Sequence, residues 1–90
     1  MRKYEVLFIV RSDLDQEAVQ ATVDKFAGII ANGGEVISQE ILGKRRLAYE
    51  IKKHRDGIYV IIQFHAQPET VAELDRVLRI TDEVIRHLIV

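Results

Sequence analysis

A dense run of cations is the part of this chain best suited to chemistry. Five of the eleven residues from Gly43 to Lys53 are lysine or arginine, and Leu47, Tyr49 and Ile51 fall on alternate positions as in a half-buried β-strand. Cations on a strand can contact the phosphates of a nucleic acid, or they can protect a sheet edge from aggregation. The pattern favours phosphate contact and leaves edge protection open.

Charge is distributed unevenly along the chain, although the net charge is only −1. Residues 43–55 hold six cations and one acid, whereas residues 13–24 hold four acids and no cation. The small net charge argues against a protein that coats nucleic acid with its whole surface. Neighbouring residues on a strand point to opposite faces, so Arg45 and Arg46 could contact phosphates on one side and a partner on the other.

The remaining reactive side chains form no catalytic or metal-binding pattern. The chain has no cysteine, and His54, His65 and His87 lack the i, i+4 spacing that brings two imidazoles to one metal ion. No nucleophile stands beside a general base. The loop Arg11–Asp15 has no glycine and two carboxylates, unlike the phosphate-binding loop of a small acyl-phosphate hydrolase. We therefore predict no catalytic residue, no metal and no cofactor, and we interpret His65 and His87 as surface or contact residues.

Two features favour a cytoplasmic protein. The absence of cysteine fits a reducing compartment. The apolar run near the start, Val6 to Val10, has only five residues and is too short for a signal peptide or a membrane span.

The first part of the chain predicts a strand and a helix. Tyr4 to Val10 is apolar on both parities, as in a central strand. Ser12 and Asp13 should supply the helix-capping oxygens, with Gln16 completing a capping box. A stripe at helical period then follows, and Asn32-Gly33-Gly34 should end the helix in the left-handed conformation. The stripe consists of Val19, Val23, Phe26, Ala27 and Ile30.

The second part of the chain predicts a hairpin, a helix and a strand. Glu35 to Ile51 reads as a long, bent edge strand with a bulge at Gly43. A polar turn over residues 52–57, ending in Asp-Gly, should connect it to a strand from Ile58 to Ala66. Pro68 lies just inside a second helix, and residues 84–90 form the last strand.

The element order is therefore βαββαβ, which predicts an α+β, ferredoxin-like fold with a four-stranded antiparallel sheet and two helices on one face. We expect residues 1–90 to form a single domain of this kind. Because alternate side chains of a strand point to the same face of the sheet, one set of apolar side chains should contact the helices. This set consists of Tyr4, Val6, Phe8, Ile58, Val60, Ile62 and Phe64. The opposite, open face should carry Lys3, Glu5, Leu7, Ile9, Tyr59, Ile61, Gln63 and His65.

An RNA-recognition motif is one function found on this topology, and it stacks bases on exposed aromatic residues of the first and third strands. Phe8 and Tyr59 lie on opposite parities, so at most one of them can lie on the open face. Base stacking on a pair of aromatic residues is therefore not expected.

The residues Gly43 to Lys52 resemble the signature of the bacterial small-subunit ribosomal protein S-six family: a glycine, basic residues, Leu-Ala-Tyr, any residue and Ile-Lys. The start Met1–Glu5 and the segment Leu78–Ile80 are also similar to that family, so the resemblance covers almost the whole chain. It implies a structural ribosomal protein without catalysis, located in the cytoplasm within the ribosome. It also implies binding to small-subunit ribosomal RNA as a heterodimer with the eighteenth small-subunit protein.

Two sets of contact residues follow from the resemblance together with the predicted sheet. We expect the sheet to bring the basic strand, the chain start and the last strand together, and Arg2 and Arg46 rank first among the cations. The predicted RNA-binding residues are Arg2, Lys3, Arg45, Arg46, Lys52, Lys53, Arg79 and Arg86. The predicted protein-partner residues are Leu7, Ile9, Tyr59, Ile61, Gln63 and His65, with Tyr59 as the aromatic anchor. The alternative is an RNA-free ferredoxin-like module that binds a small ligand or pairs with itself.

Overall fold

A computed structural model describes residues 1–90 as four strands and two helices. The elements are β1 (Arg2–Val10), α1 (Gln16–Ala31), β2 (Gly34–Ile51), β3 (His54–Ala66), α2 (Pro68–Ile80) and β4 (Val84–Ile89). The strands form one sheet in the order β2-β3-β1-β4, with every neighbouring pair antiparallel. The predicted α+β, ferredoxin-like fold is confirmed, as is the position of β1 inside the sheet and of β2 at its edge.

The main core lies between the two helices and one face of the sheet. Phe8 of β1 meets Phe26 of α1 edge to face, with ring centroids 5.1 Å apart, and both side chains are fully buried. Tyr4 stacks on Phe64 of β3 at 5.6 Å. The predicted helix-facing set packs in or against this core. Burying each such side chain stabilises the fold by about 1.5–3 kcal/mol.

The helix α1 begins two residues later than the sequence predicted, and its cap is Asp15. Asp15 Oδ1 accepts a hydrogen bond of 2.8 Å from the backbone N–H of Ala18. The predicted cap at Ser12 and Asp13 is wrong because both side chains have other partners. Arg11 donates to Asp13 at 2.7 Å, and Ser12 Oγ donates to Asp56 at 2.6 Å.

The left-handed end predicted for α1 is also wrong. Asn32 is right-handed, with φ of −70°, and neither Gly33 nor Gly34 has a positive φ. The two glycines serve close packing instead. A Cβ atom on Gly33 would collide with the Thr70 hydroxyl, and one on Gly34 would collide with the β3 backbone at His65.

The hairpin between β2 and β3 differs from the prediction in where it turns. Ile51 pairs with His54, so the turn consists of Lys52 and Lys53, with φ of 49° and 68°. The predicted turn over residues 52–57 is too long, because β3 begins at His54 and Asp56 and Gly57 lie within it opposite Arg46 and Arg45. The predicted bulge at Gly43 is confirmed by a φ of 96° and a register shift after Ile41.

Candidate functional site

The β2–β3 hairpin extends beyond β1, which ends at Val10 opposite Ile58. We call its protruding part, residues 44–57, the hairpin arm. The arm contacts the open face of the sheet: Leu47 is 8% exposed and packs with Ile9 of β1 and Ile85 of β4 in a second small core. The prediction of a wholly open apolar centre was therefore wrong at Ile9, which is only 6% exposed because the chain itself covers it.

A groove remains between the hairpin arm and the rest of the open face. It has a volume of about 260 Å³, and eight of its ten lining residues are hydrophobic. Leu7 and Tyr59 line it from the centre of the sheet, and Leu88 lines it from β4. Tyr49 of the arm spans it, because its hydroxyl accepts a hydrogen bond of 2.5 Å from Arg86 Nη1 of β4. We call this cavity the arm groove.

Beyond the arm groove, the open face has a polar rim at Gln63 and His65, as the sequence predicted. Gln63 Nε2 donates to Glu5 at 3.2 Å, and the imidazole of His65 lies 3.8 Å from Glu35. Ile61 lies between Leu7 and Glu40 in the sheet and is half-buried. Of the six predicted partner residues, five therefore have accessible surface on one face, and the sixth is the covered Ile9.

Arg45 and Arg46 point to opposite faces of the hairpin arm, as predicted. The guanidinium of Arg45 lies 5.8 Å from the ring centroid of Tyr59, on the open face. Arg46 lies opposite Asp56 in the register of β2 and β3, so its side chain is on the helix side of the sheet. A hydrogen bond from Ser12, with the positive charges of Lys44 and Arg46, lowers the pKa of the Asp56 carboxyl below its ordinary value.

The predicted RNA-binding cations do not all come together. The largest group lies on the hairpin arm, where Arg45 and Arg46 line one depression together with the carboxylate Asp56 and two further cations. These two cations, Lys44 and Arg55, were not among the predicted RNA-binding residues. Their signal was present in the sequence, since both belong to the same basic run. Lys52 joins Arg79 and Arg86 around a neighbouring depression. Lys53 completes the turn at the tip of the arm.

The chain start lies far from these groups. Arg2 pairs with Ala66 at one end of β3, whereas Arg45 pairs with Gly57 nine residues away. Nine residues of extended strand span about 30 Å. The expectation that Arg2 and Lys3 converge with the basic strand is therefore wrong, because antiparallel pairing places them at opposite ends of the sheet.

The cations also differ in whether a carboxylate already neutralises them. Four arginines form salt bridges within the chain, namely Arg11, Arg55, Arg76 and Arg79. The other four have no carboxylate within salt-bridge distance, namely Arg2, Arg45, Arg46 and Arg86. Arg79 is thus less available for an external anion than the sequence suggested.

His87 was predicted to be a surface or contact residue, but it faces α2. Its Nε2 lies 2.6 Å from Asp75 Oδ1, and its side chain is 17% exposed. Asp75 also accepts a hydrogen bond from Arg79. The His87 hydrogen bond is the main cause that lowers the pKa of the Asp75 carboxyl, with Arg79 adding to it. The contact joins α2 to β4.

No group of three histidine, cysteine, aspartate or glutamate side chains is arranged to hold a metal ion. Neither helix has the length and apolarity needed to cross a membrane.

Comparison with known proteins gives consistent matches over the whole chain. The family model described as Ribosomal protein S6 matches residues 3–90. The small ribosomal subunit protein bS6 of Clostridium kluyveri is 56% identical over 91 aligned positions, covering 100% of this chain and 96% of the relative. The corresponding protein of Clostridium beijerinckii is 52% identical with the same coverage.

A solved structure agrees with the sequence matches. The crystal structure of 30S ribosomal protein S6 from Thermotoga maritima superposes with a TM-score of 0.93 at 33% sequence identity. The alignment covers 99% of this chain and 85% of that one.

Proposed function

Because the chain belongs to the ribosomal protein S6 family, we propose that it binds small-subunit ribosomal RNA as a heterodimer with the eighteenth small-subunit ribosomal protein. The family consists of ribosomal proteins, not enzymes, and the chain is accordingly a constituent of the small ribosomal subunit in the cytoplasm. We further propose that residues 1–90 act as a single domain, since one sheet and one main core span them.

The observation that carries RNA binding is the pair of arginines on the hairpin arm that form no salt bridge. Arg45 and Arg46 are exposed, lack a carboxylate partner at salt-bridge distance and extend from opposite faces of one strand. Guanidinium groups hold phosphate through paired hydrogen bonds, and neither side chain must first break an internal salt bridge. Lys52, Lys53 and Arg86 lie toward the same end of the sheet and extend this basic surface.

The remaining predicted cations contribute differently. Arg2 and Lys3 lie at the other end of the sheet, so they do not belong to the RNA-binding surface of the hairpin arm. Arg79 contributes less, because Asp75 already neutralises it.

The need for a protein partner follows from charge and from the open face. With a net charge of −1, the chain has little electrostatic surplus for binding RNA by itself at physiological salt. The open face exposes an apolar strip that includes Leu7, Tyr59, Ile61 and Leu88. Phosphate and ribose offer little apolar surface, so a protein covers this strip better than RNA does.

Filter binding to small-subunit ribosomal RNA tests the proposal, with the eighteenth protein present or absent. We expect weak, salt-sensitive binding by the chain alone at about 0.15 M salt and specific, tight binding by the mixture. Gel filtration of the two proteins together should show a complex with one copy of each. Tight, specific RNA binding by the chain alone would contradict the need for a partner. A stable homodimer that binds neither the RNA nor the eighteenth protein would support the RNA-free module.

A further inference from the structure

The arm groove has an unusual combination of an apolar lining and unneutralised cations at its borders. Eight of the ten lining residues are hydrophobic, and the other two are Arg86 and His87, whose imidazole is already paired with Asp75. The only side-chain partner of Arg86 is the neutral hydroxyl of Tyr49. Arg45 does not line the groove itself, but its guanidinium lies 5.8 Å from the ring centroid of the lining residue Tyr59, again without a carboxylate. A guanidinium gains roughly twice as much from an ionised acceptor as from a neutral one.

The shape of the groove fits a segment of a larger molecule better than a small ligand. Its volume of about 260 Å³ is below the range of about 300–1,000 Å³ that is usual for small-molecule sites. It is open on one side and continues into the half-exposed sheet surface at Tyr59 and Leu7. Two of the residues that line it are largely exposed to solvent, namely Tyr49 at 61% and Leu88 at 58%. These features match a peptide that enters from a docked protein.

The charge at the border limits which peptide fits. Arg45 and Arg86 disfavour a basic segment, because like charges at the rim of an interface cost binding free energy. An entirely apolar segment would cover Arg86 without giving it a charged acceptor. A segment with apolar side chains and one carboxylate can pack against the apolar lining and also give Arg86 a charged hydrogen-bond acceptor.

We propose that the arm groove binds an extended, apolar segment of the protein partner that carries a carboxylate, and that Arg86 exchanges the Tyr49 hydroxyl for this carboxylate. The proposal rests on the proposed function in one respect, namely that a protein covers the open face. In the free chain, the Tyr49 hydroxyl occupies a hydrogen-bond donor of Arg86. In the complex, Arg86 becomes the charged anchor for the partner, so Lys52 and Lys53 rather than Arg86 extend the RNA-binding surface of the arm, and Tyr49 is released to pack over the segment.

Three single variants test the exchange, with the purified eighteenth small-subunit protein as the probe and calorimetry as the readout. Arg86→Met keeps much of the apolar stem but removes the charge, and it should weaken binding about tenfold or more. Arg86→Lys should recover part of that loss. Tyr49→Phe removes only the competing hydroxyl, so we expect it to strengthen binding by about twofold to fivefold. Arg76→Met is the matched control, since Arg76 lies on α2 and pairs with Glu73.

Overlapping synthetic peptides from the same partner locate the segment. We expect the peptides that bind this chain to contain a carboxylate beside apolar residues, and replacement of that acid by its amide should weaken binding about as much as Arg86→Met does. Retained folding of each variant is checked by its thermal unfolding transition.

The outcomes separate this proposal from the proposed function. If the partner binds the unmodified chain but Arg86→Met and Tyr49→Phe bind as tightly as Arg76→Met, the groove proposal is overturned and the heterodimer stands. If the partner does not bind the unmodified chain at all, the proposed heterodimer fails, and the groove proposal with it. Peptide binding that persists after amide replacement would also overturn the exchange, and saturable binding of a simple fatty acid would assign the groove to a small amphiphile.

Discussion

At the scale of single residues, the pairing of each charged side chain decides what it can still bind. Arg45 and Arg46 keep all their hydrogen-bond donors available for an outside anion, whereas Arg55 lies 3.7 Å from Glu50 and shares its charge. Exposed pairs of this kind contribute little to stability, but they lower the net attraction for phosphate. Neighbouring cations in one basic run should therefore contribute unequally to the proposed RNA binding.

The first prediction at this scale concerns the cap of α1. Asp15→Ala removes the acceptor for the backbone N–H of Ala18 and should lower the free energy of unfolding by about 1 kcal/mol. Asp13→Ala breaks only an exposed contact with Arg11 and should have much less effect. Urea denaturation of both variants measures the difference. A larger loss in Asp13→Ala than in Asp15→Ala would contradict the assigned cap.

The second prediction concerns the effect of pH on the contact between Asp75 and His87. The pKa of Asp75 is lower in the folded chain than its ordinary value of 3.8, chiefly because His87 donates to the carboxylate. A carboxyl of this kind stabilises the folded state above its unfolded-state pKa, and the contribution is lost as the pH falls through the folded-state value. We expect the melting temperature to fall as the pH drops below about 4, and to fall less in Asp75→Asn.

The unmodified chain must be compared with the Asp75→Asn variant, because the pKa values of Asp13, Asp56 and Glu73 are lowered as well. The difference between the two melting curves isolates the contribution of Asp75. These three carboxyls remain in both proteins, so their contributions cancel. Parallel melting curves over the acidic range would show that the Asp75 contact does not stabilise the fold.

At the scale of elements, the hairpin arm determines the character of the site. Its two strands extend past the end of β1 and bend so that Leu47 covers Ile9 and Ile85. This packing closes one side of the open face and leaves the arm groove on the other. The same bend directs Arg45 toward the open face and exposes the turn at Lys52 and Lys53.

The turn of the arm yields a prediction about stability. Lys52 and Lys53 both adopt positive φ, which costs a non-glycine residue about 1–2 kcal/mol. The double variant Lys52→Asn, Lys53→Gly supplies the residues that favour this type of two-residue turn. It should raise the free energy of unfolding by about 1 kcal/mol, whereas Lys52→Ala, Lys53→Ala, which removes the same charges, should not. Equal stabilities of the two variants in urea would contradict the turn geometry.

The sequence predicted best which face of the sheet each strand side chain lies on. Tyr4, Val6 and Phe8 alternate with open-face residues, and a strand's period of two assigns each side chain to a face without knowledge of the rest of the chain. The turn was mispredicted because Asp56-Gly57 is a strong local signal. Gly57 has a different role, since a Cβ atom there would collide with the Ile9 side chain.

The candidate site was less predictable than the fold. The alternation of Leu47 and Tyr49 shows which face they share, but the bend that lays Leu47 on Ile9 arises from twist and long-range packing. Likewise, the separation of Arg2 from Arg45 depends on strand pairing, which places them at opposite ends of β3. The spacing of residues along the chain predicts neither the bend of the hairpin arm nor the distance between Arg2 and Arg45.

At the scale of the whole molecule, the two faces of the sheet have different roles. One face is buried by the helices and supplies the core. The other combines the arm groove, an apolar strip and a polar rim, and the uncompensated arginines Arg45 and Arg86 lie beside it. Under the proposed function, one protein partner covers the apolar surface while the cations of the arm remain available to RNA.

A substitution at the centre of the open face tests the partner surface. Ile61 is half-buried and lies beside Leu7 in the sheet, so Ile61→Asp should leave the chain folded but cost about 2 kcal/mol or more of affinity for the eighteenth protein. Ile41→Asp is the matched control, because Ile41 is 42% exposed and pairs with Val60, whose side chain faces the helices. If the Ile61→Asp variant folds and its affinity for the partner equals that of the Ile41→Asp variant, the interface lies elsewhere.

The most direct test of the central claim is the salt dependence of RNA binding by the heterodimer. We propose measuring the affinity for small-subunit ribosomal RNA at several salt concentrations, with the eighteenth protein present, for the unmodified chain and for the double variant Arg45→Ala, Arg46→Ala. Removing one cation that binds a phosphate should reduce the slope of log affinity against log salt by about one unit or slightly less. We expect the double variant to bind more weakly and with a slope smaller by about two. An unchanged affinity and slope would contradict the account.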